Sequence, residues 1–529
     1  MDADSERAYQ RRWWTLAVLC LSLTVISIDN TILNVALPSI VESLDARGSE
    51  LQLLIDGYTI VFACLLLTAG SLGDKLGRKG ILTAGLALFG IFSALAAFST
   101  SSHMLIVARA LMGIGGACIY PSTLSILTNT FHDNRERARA IGIWAGVSGL
   151  GVAIGPLAGG LLVEHFWWGS VFLVNVPICA LAIVAGHFFV PTTTRDPEHA
   201  LDPLGALFSI IGLVGVLFAI IEVPDRGISD PTVLISLAVG VLFLGAFAWW
   251  ETHTEHPMLD LHFFQNPRFS AASATITLTF FALYGSTFLL TQYFQFVLGY
   301  SPFKAGVLTA PVAIGIMVTA PQAPKVVERI GTKRVVVMGL LIVATGLFLY
   351  SVEPVMSSFV GGGAVRLLFG VGMGFIMAPA TESIMGSLPK AKAGVGSAVN
   401  DTTRLAGAAL GVAVIGSVFA ATYHRVITVP AGLPAGAEPL VQDSIGKAIA
   451  AIVTFQLPAD LARAVHDAAS DAFFRGMQVA AWVGTAVVLC AAVVAYRYLP
   501  ARADRAVHED PELALDAKEM AAIDDGIYT

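Results

Sequence analysis

Gly70-Ser-Leu-Gly-Asp-Lys-Leu-Gly-Arg-Lys-Gly-Ile81 lies between two long apolar runs, and its reading decides the fold. It carries one acid, Asp74, and three bases, Lys75, Arg78 and Lys79. Hydrocarbon cannot solvate such a cluster, so the stretch is expected to be a tight turn at a membrane face. Lys and Arg in short loops mark the cytoplasmic side. Gly70, Gly73 and Gly77 let two helix ends approach closely. Asp74 is placed to pair with Arg78 or to cap the positive end of the following helix.

Composition agrees with a membrane setting. The chain has 529 residues, 56% of them hydrophobic and 13% charged. An ordinary soluble domain carries roughly 25% charged residues. A span needs about 20 apolar residues, and about fourteen such runs occur between residues 14 and 497. The first run contains Asp29, ends at Leu37-Pro38 and has no small-residue cleavage site, so it is read as a retained span rather than a leader. Basic residues gather in alternate loops, which predicts both termini on the cytoplasmic side. They form no nucleic-acid face. The net charge of −7 owes much to an acidic tail over 498–529. The cysteines are scattered through apolar runs without metal or redox spacing.

A faint repeat divides the chain. Val327 to Lys333 echoes the loop from Gly73 to Lys79, and Arg366, Gly370, Gly372 and Gly374 echo Arg109, Gly113 and Gly115. Repeated halves with a site at their interface are a common transporter plan. The expected organisation is a tail at 1–13, a six-helix bundle at 14–190, two inserted helices at 204–250 and a second six-helix bundle at 270–497. A long extracellular loop interrupts the second bundle at 423–475. It ends in an amphipathic stretch over Leu457 to Phe474 and is expected to form one or two short helices on the outer face.

Several stretches together carry a family resemblance. The opening loop fits G-x-L-x-D-x-x-G-R-K, and Ile28 to Pro38 fits a first-span signature. Arg109 to Gly116 fits R-x-x-x-G-x-G, with Met112 where Gln is common. Gly151, Gly155, Pro156, Gly159 and Gly160 fit a fifth-span antiporter motif. The chain resembles the major facilitator superfamily, in its QacA/EmrB-like, fourteen-span drug:proton antiporter branch. The resemblance implies an all-α integral membrane protein of two six-helix bundles plus two inserted helices. It also implies proton coupling through Asp29, Asp56 and Arg109. The proton gradient would supply the energy, without a cofactor.

Charged residues inside spans are costly and mark a pathway. Asp29, Asp56, Arg109 and Asp401 are therefore the candidate proton-coupling residues. Glu382, at the cytoplasmic end of its span, joins them as an interfacial acid expected to pair with Lys390 or Arg404. Asp401 and Arg404, three apart on one helix, could also be a local ion pair. Cargo contacts are expected from Asn30, Asn34, Tyr58, Asn175, Tyr284, Gln292, Gln295 and Asn400, with aromatic faces suiting lipophilic cations. Gly70, Gly73, Asp74, Gly77, Arg78 and Lys79 form the candidate gating loop. Gly151, Gly155 and Gly159 form a smooth stripe where another helix can pack, and Pro156 bends it. This helix is expected to seal one half against the other.

No phosphate loop or H-E-x-x-H occurs, and His253-Thr-Glu-His256 has no further ligands near it in the sequence, so neither an enzyme nor a metal site is expected. The reading is a monomeric exporter of small amphipathic or cationic compounds in a bacterial inner or plasma membrane, exchanging cargo for protons. The alternatives are a dedicated exporter of one metabolite, antibiotic or lipid, and an uncoupled channel or receptor on the same fold.

Overall fold

The computed structural model describes residues 10–44, 48–192, 202–227, 229–255, 257–300, 302–308, 310–352, 358–388 and 392–501. The acidic tail beyond 501 therefore lies outside the described residues.

Helices correspond to the expected spans, the tenth as short pieces rather than one long helix. The first half contains α1 (Arg12–Leu44), α2 (Gly48–Leu76), α3 (Arg78–Ala97), α4 (Ser102–Thr130), α5 (Asn134–His165) and α6 (Ser170–Phe189). The inserted pair is α7 (Pro203–Arg226) and α8 (Pro231–Glu251). The second half contains α9 (Pro267–Gln292), a broken α10 (Ala310–Thr319 and Ala323–Ile330, bent by 51°), α11 (Thr332–Leu349), α12 (Phe359–Met385), α13 (Ala393–Val426) and α14 (Ala459–Tyr498). No strand occurs among the described residues. Among the described residues, twelve helices are long and apolar enough to cross a membrane, or thirteen if the bent α10 is one span, where about fourteen were expected. The 32-residue α5 is the remaining long helix.

The helix starts follow from local chemistry. The side chains of Ser101, Asp133, Asp202, Asp230, Asn266 and Ser358 each accept a hydrogen bond from a first-turn amide. These caps satisfy donors that the helix itself leaves free. Pro203, Pro231 and Pro267 follow three of them, where a missing N–H costs nothing.

The opening stretch is more helical than expected. Helix α2 runs on to Leu76, and Gly77 alone breaks the path before α3. Its φ of +97° is the left-handed region that glycine enters freely. Gly331 repeats this break before α11 with φ +88°. The repeat extends to packing. A Cβ on Gly85 would lie 2.9 Å from the Gly115 carbonyl, and one on Gly339 would lie 2.8 Å from that of Gly372. Each half thus crosses two helices backbone to backbone at corresponding glycines.

The halves meet along two seams. In one, α2 packs against α13; in the other, α5 packs against α10 and α12. A Cβ on Gly70 would stand 2.7 Å from the Gly394 carbonyl, and one on Gly142 would stand 2.5 Å from that of Ala320. Helix α7 of the inserted pair touches both α2 and α13, so it lies beside the first seam.

The long loop departs from expectation. It holds two short helices, Ala437–Asp443 and Ile445–Thr454. The amphipathic stretch Leu457 to Phe474, however, is not a separate surface helix. From Ala459 onward it is the first part of the 40-residue α14. Its apolar face, with Val465, Ala469 and Phe473 buried, is covered by protein. Phe473 packs on Phe419 of α13 at 4.7 Å, and Ile445–Thr454 lies against α14.

Candidate transport site

The first cluster sits midway along α1. Asp29 is fully buried, and its Oδ2 takes a hydrogen bond from the Arg109 guanidinium on α4 at 2.5 Å. Asn175 on α6 donates to the other carboxylate oxygen at 3.0 Å and to Ser93 Oγ on α3 at 3.1 Å. Arg109 also lies 4.2 Å above the Tyr58 ring of α2. Five helices of the first half therefore converge on one ion pair. Removing one partner of such a pair leaves a buried charge, at about 3–5 kcal/mol. The Tyr58 hydroxyl and Asn175 Oδ1 are buried without a partner.

The second cluster belongs to both halves. On α13, Asn400 donates to Asp401 Oδ1 at 3.0 Å, while Asp401 Oδ2 is buried without a partner. The local ion pair considered for Asp401 and Arg404 is not made. Arg404 donates instead to Thr381 Oγ1 on α12 at 2.9 Å, and that hydroxyl donates to Asn400 Oδ1. The Arg404 guanidinium lies 5.1 Å from the Trp144 ring of α5 and 5.3 Å from the Phe280 ring of α9. Tyr120 of α4 faces the same guanidinium. Tyr284, stacked on Phe280 at 6.2 Å, is 45% exposed although it lies in the middle of α9.

The third cluster closes the basic end of the bundle. Arg78 holds Asp74 at 2.8 Å, four residues away across the Gly77 break. The same carboxylate accepts from the backbone amides of Gly394 at 3.1 Å and Val395 at 3.3 Å, in the first turn of α13. Asp74 thus caps a helix of the other half, not the helix that follows it, because α2 and α13 cross there at Gly70 and Gly394. Glu382 was expected to find Lys390 or Arg404. It pairs with Arg137 of α5 at 2.8 Å, another bridge between halves. Lys390 lies outside the described residues. Arg135 and Glu328 make a third bridge at 3.3 Å, largely exposed. Lys79 donates to the carbonyls of His187 and Val190 at the end of α6, in its own half.

The remaining candidates scatter. Asn30 is exposed, and Gln292 at the end of α9 and Gln295 in the helical turn just beyond it are half-buried. The side chains of Asn34, Asp56, Gly151 and Pro156 lie outside the described residues. The glycine stripe on α5 does not form the expected seal at Gly155. A Cβ there would overlap the Thr31 hydroxyl of α1, within the same half. The reason is geometric: α5 turns Gly142 and Gly146 toward α10, and Gly155 toward α1. Sequence reasoning missed Ser93, Thr381, Arg137 and Trp144. Their partners lie 19 to 245 residues away, and a single sequence carries no signal for such pairs.

The profile of the Major Facilitator Superfamily matches residues 19–412. The multidrug efflux pump LfrA of Mycolicibacterium smegmatis is 37% identical over 499 residues, which is 93% of this chain and 97% of that protein. The methyl viologen resistance protein SmvA of Salmonella typhimurium is 32% identical, covering 91% of this chain and 97% of its own. The multidrug resistance protein Stp of Mycobacterium tuberculosis is 30% identical, covering 92% of each. The crystal structure of the human organic anion transporter MFSD10 (TETRAN) superposes with a TM-score of 0.62 over 92% of this chain and 99% of its own. Its 14% identity makes that a likeness of fold. The profile match, the full-length relatives and the paired glycine crossings agree, and the chain belongs to the Major Facilitator Superfamily.

Proposed function

We propose that this protein exports small amphipathic cations across a bacterial plasma membrane in exchange for protons, with its basic face in the cytoplasm. The observation that carries the reading is the buried Asp29–Arg109 pair, completed by Asn175 and Tyr58. A carboxylate at mid-membrane depth is costly unless paired, and protonation removes its charge. A proton on Asp29 would cancel its attraction for Arg109 and leave the guanidinium to the Tyr58 ring. Loss of that proton would restore the pair. The pair therefore has two arrangements that a proton selects between.

The latch at the basic face supplies the second requirement. Asp74, Arg137 and Arg135 each reach a partner in the other half. These contacts stabilise a state closed on that side, and cargo entry from the cytoplasm would require them to part. One chain supplies both halves of the path, so a monomer suffices. Full-length relatives named as multidrug efflux and resistance proteins support the cargo class.

The test uses purified protein in liposomes with an imposed pH difference. Tetraphenylphosphonium should accumulate against its gradient while protons move the opposite way, read by an internal pH dye. Accumulation that ignores the pH difference, without proton countermovement, overturns the coupling.

A further inference from the structure

The second cluster holds an unusual arrangement. Arg404 is 4% exposed, its Nε has no partner, and side-chain hydrogen bonds to Thr381 and to the Tyr120 phenol anchor it. Its charge is held by rings from both halves: Trp144 at 5.1 Å, Phe280 at 5.3 Å, and the Tyr120 phenol facing it. Trp144 is itself fixed, donating from Nε1 to Thr123 at 3.1 Å and meeting Tyr120 edge to face at 5.9 Å. One turn along α13, the buried Asp401 leaves Oδ2 without a partner. Rings around a charge, beside a carboxylate with a free oxygen, are what a delocalised organic cation requires.

We infer that Arg404 is a resident cation in the cargo site: it occupies the aromatic faces of Trp144 and Phe280 when the site is empty, and a monovalent organic cation displaces it. This rests on the export reading above and names the chemistry of its cargo site. The exchange balances charge within the site. Incoming cargo takes the ring faces, and the displaced guanidinium swings to the free Asp401 oxygen. When cargo leaves, Arg404 returns and keeps the rings from recapturing it. Neutral cargo, with no charge to offer the rings, would compete poorly.

Tetraphenylphosphonium binding to purified detergent-solubilised protein, measured by calorimetry, tests this without any need for transport. Arg404→Gln should bind the cation about tenfold more tightly, roughly 1.4 kcal/mol. Thr381→Val, which loosens Arg404 without removing it, should tighten binding by a smaller factor and guards against a misfolded Gln variant. Removing a positive charge could tighten binding through repulsion alone, so the deciding measurement is a double-mutant cycle. In a Trp144→Leu background the gain from Arg404→Gln should vanish. A gain that survives without Trp144, or unchanged or weakened binding in folded Arg404→Gln, overturns the inference. No binding to wild type or variant also overturns it, while proton-coupled export of other cargo would stand.

Discussion

The carboxylate of Asp74 accepts a hydrogen bond from the backbone amide of Gly394, 320 residues later and in the opposite half. A Cβ on Gly394 would lie 2.5 Å from that carboxylate and 2.6 Å from the Gly70 carbonyl, so only glycine admits the contact. The acid meets the positive end of α13, where a charge is worth up to about 2 kcal/mol when partly buried. Asp74→Asn keeps the shape and loses the charge. The protein should still insert, but the closed state should lose population by up to about thirtyfold, and turnover should fall. Transport rates in liposomes, normalised to inserted protein, decide this. A normal rate would leave the contact without a gating role.

Glu382 and Arg137 provide a reciprocal test. Their side chains are 13% and 12% exposed, so the pair is shielded enough to matter. Glu382→Arg should place two cations together and disfavour closure on the basic face. The swap of Arg137→Glu with Glu382→Arg should recover much of the lost transport. Exposed Arg135 and Glu328 should show little of either effect, since surface pairs are typically worth less than about 1 kcal/mol. Failure of the swap to recover any transport would mean that one of the two acts through other contacts.

The fold was legible because the bilayer constrains it. Apolar runs of fixed length, charges confined to alternate loops and glycines at repeated offsets each have a reading of their own. The Asp29–Arg109 pairing was also within reach, since each residue is a charge that hydrocarbon forbids alone. What remained hidden depends on which faces meet. Nothing in the residues around Gly155 says that it faces Thr31 rather than the other half. Nothing around Trp144 distinguishes a ring beneath Arg404 from a core tryptophan. The amphipathic start of α14 has the pattern of a surface helix, and only the rings of Tyr293 and Phe419 show that its apolar face is already covered.

Asp29 carries the coupling prediction. Asp29→Asn can retain the hydrogen bond from Asn175 through its amide oxygen, but it cannot cycle between charged and neutral forms. Uphill export driven by a pH difference should be lost, while downhill exchange of labelled cargo persists at a reduced rate. The unpaired Arg109 should also lower thermal stability, by about 3–5 kcal/mol if it stays charged and buried. Retained accumulation driven by the pH difference alone would assign the proton to another acid, with Asp401 the first to test.

Two glycines on α5 separate packing within a half from closure between halves. A Cβ on Gly155 would overlap the Thr31 hydroxyl and lie 2.9 Å from the Thr31 Cβ. Gly155→Ala should therefore strain the α1–α5 contact, an overpacking that typically costs about 1–3 kcal/mol, and lower the melting temperature. Thr31→Ala in the same chain removes the hydroxyl and should restore part of the loss. Gly142, on the same helix, faces the Ala320 carbonyl and Pro321 of the other half. Gly142→Ala should leave the first half packed and instead hold the basic face apart. Its melting temperature should change less than that of Gly155→Ala, while a cysteine reporter placed near Asp74 becomes more reactive. If Thr31→Ala brings no recovery, and Gly155→Ala opens the basic face as Gly142→Ala does, then the glycine stripe acts at the seam between halves after all.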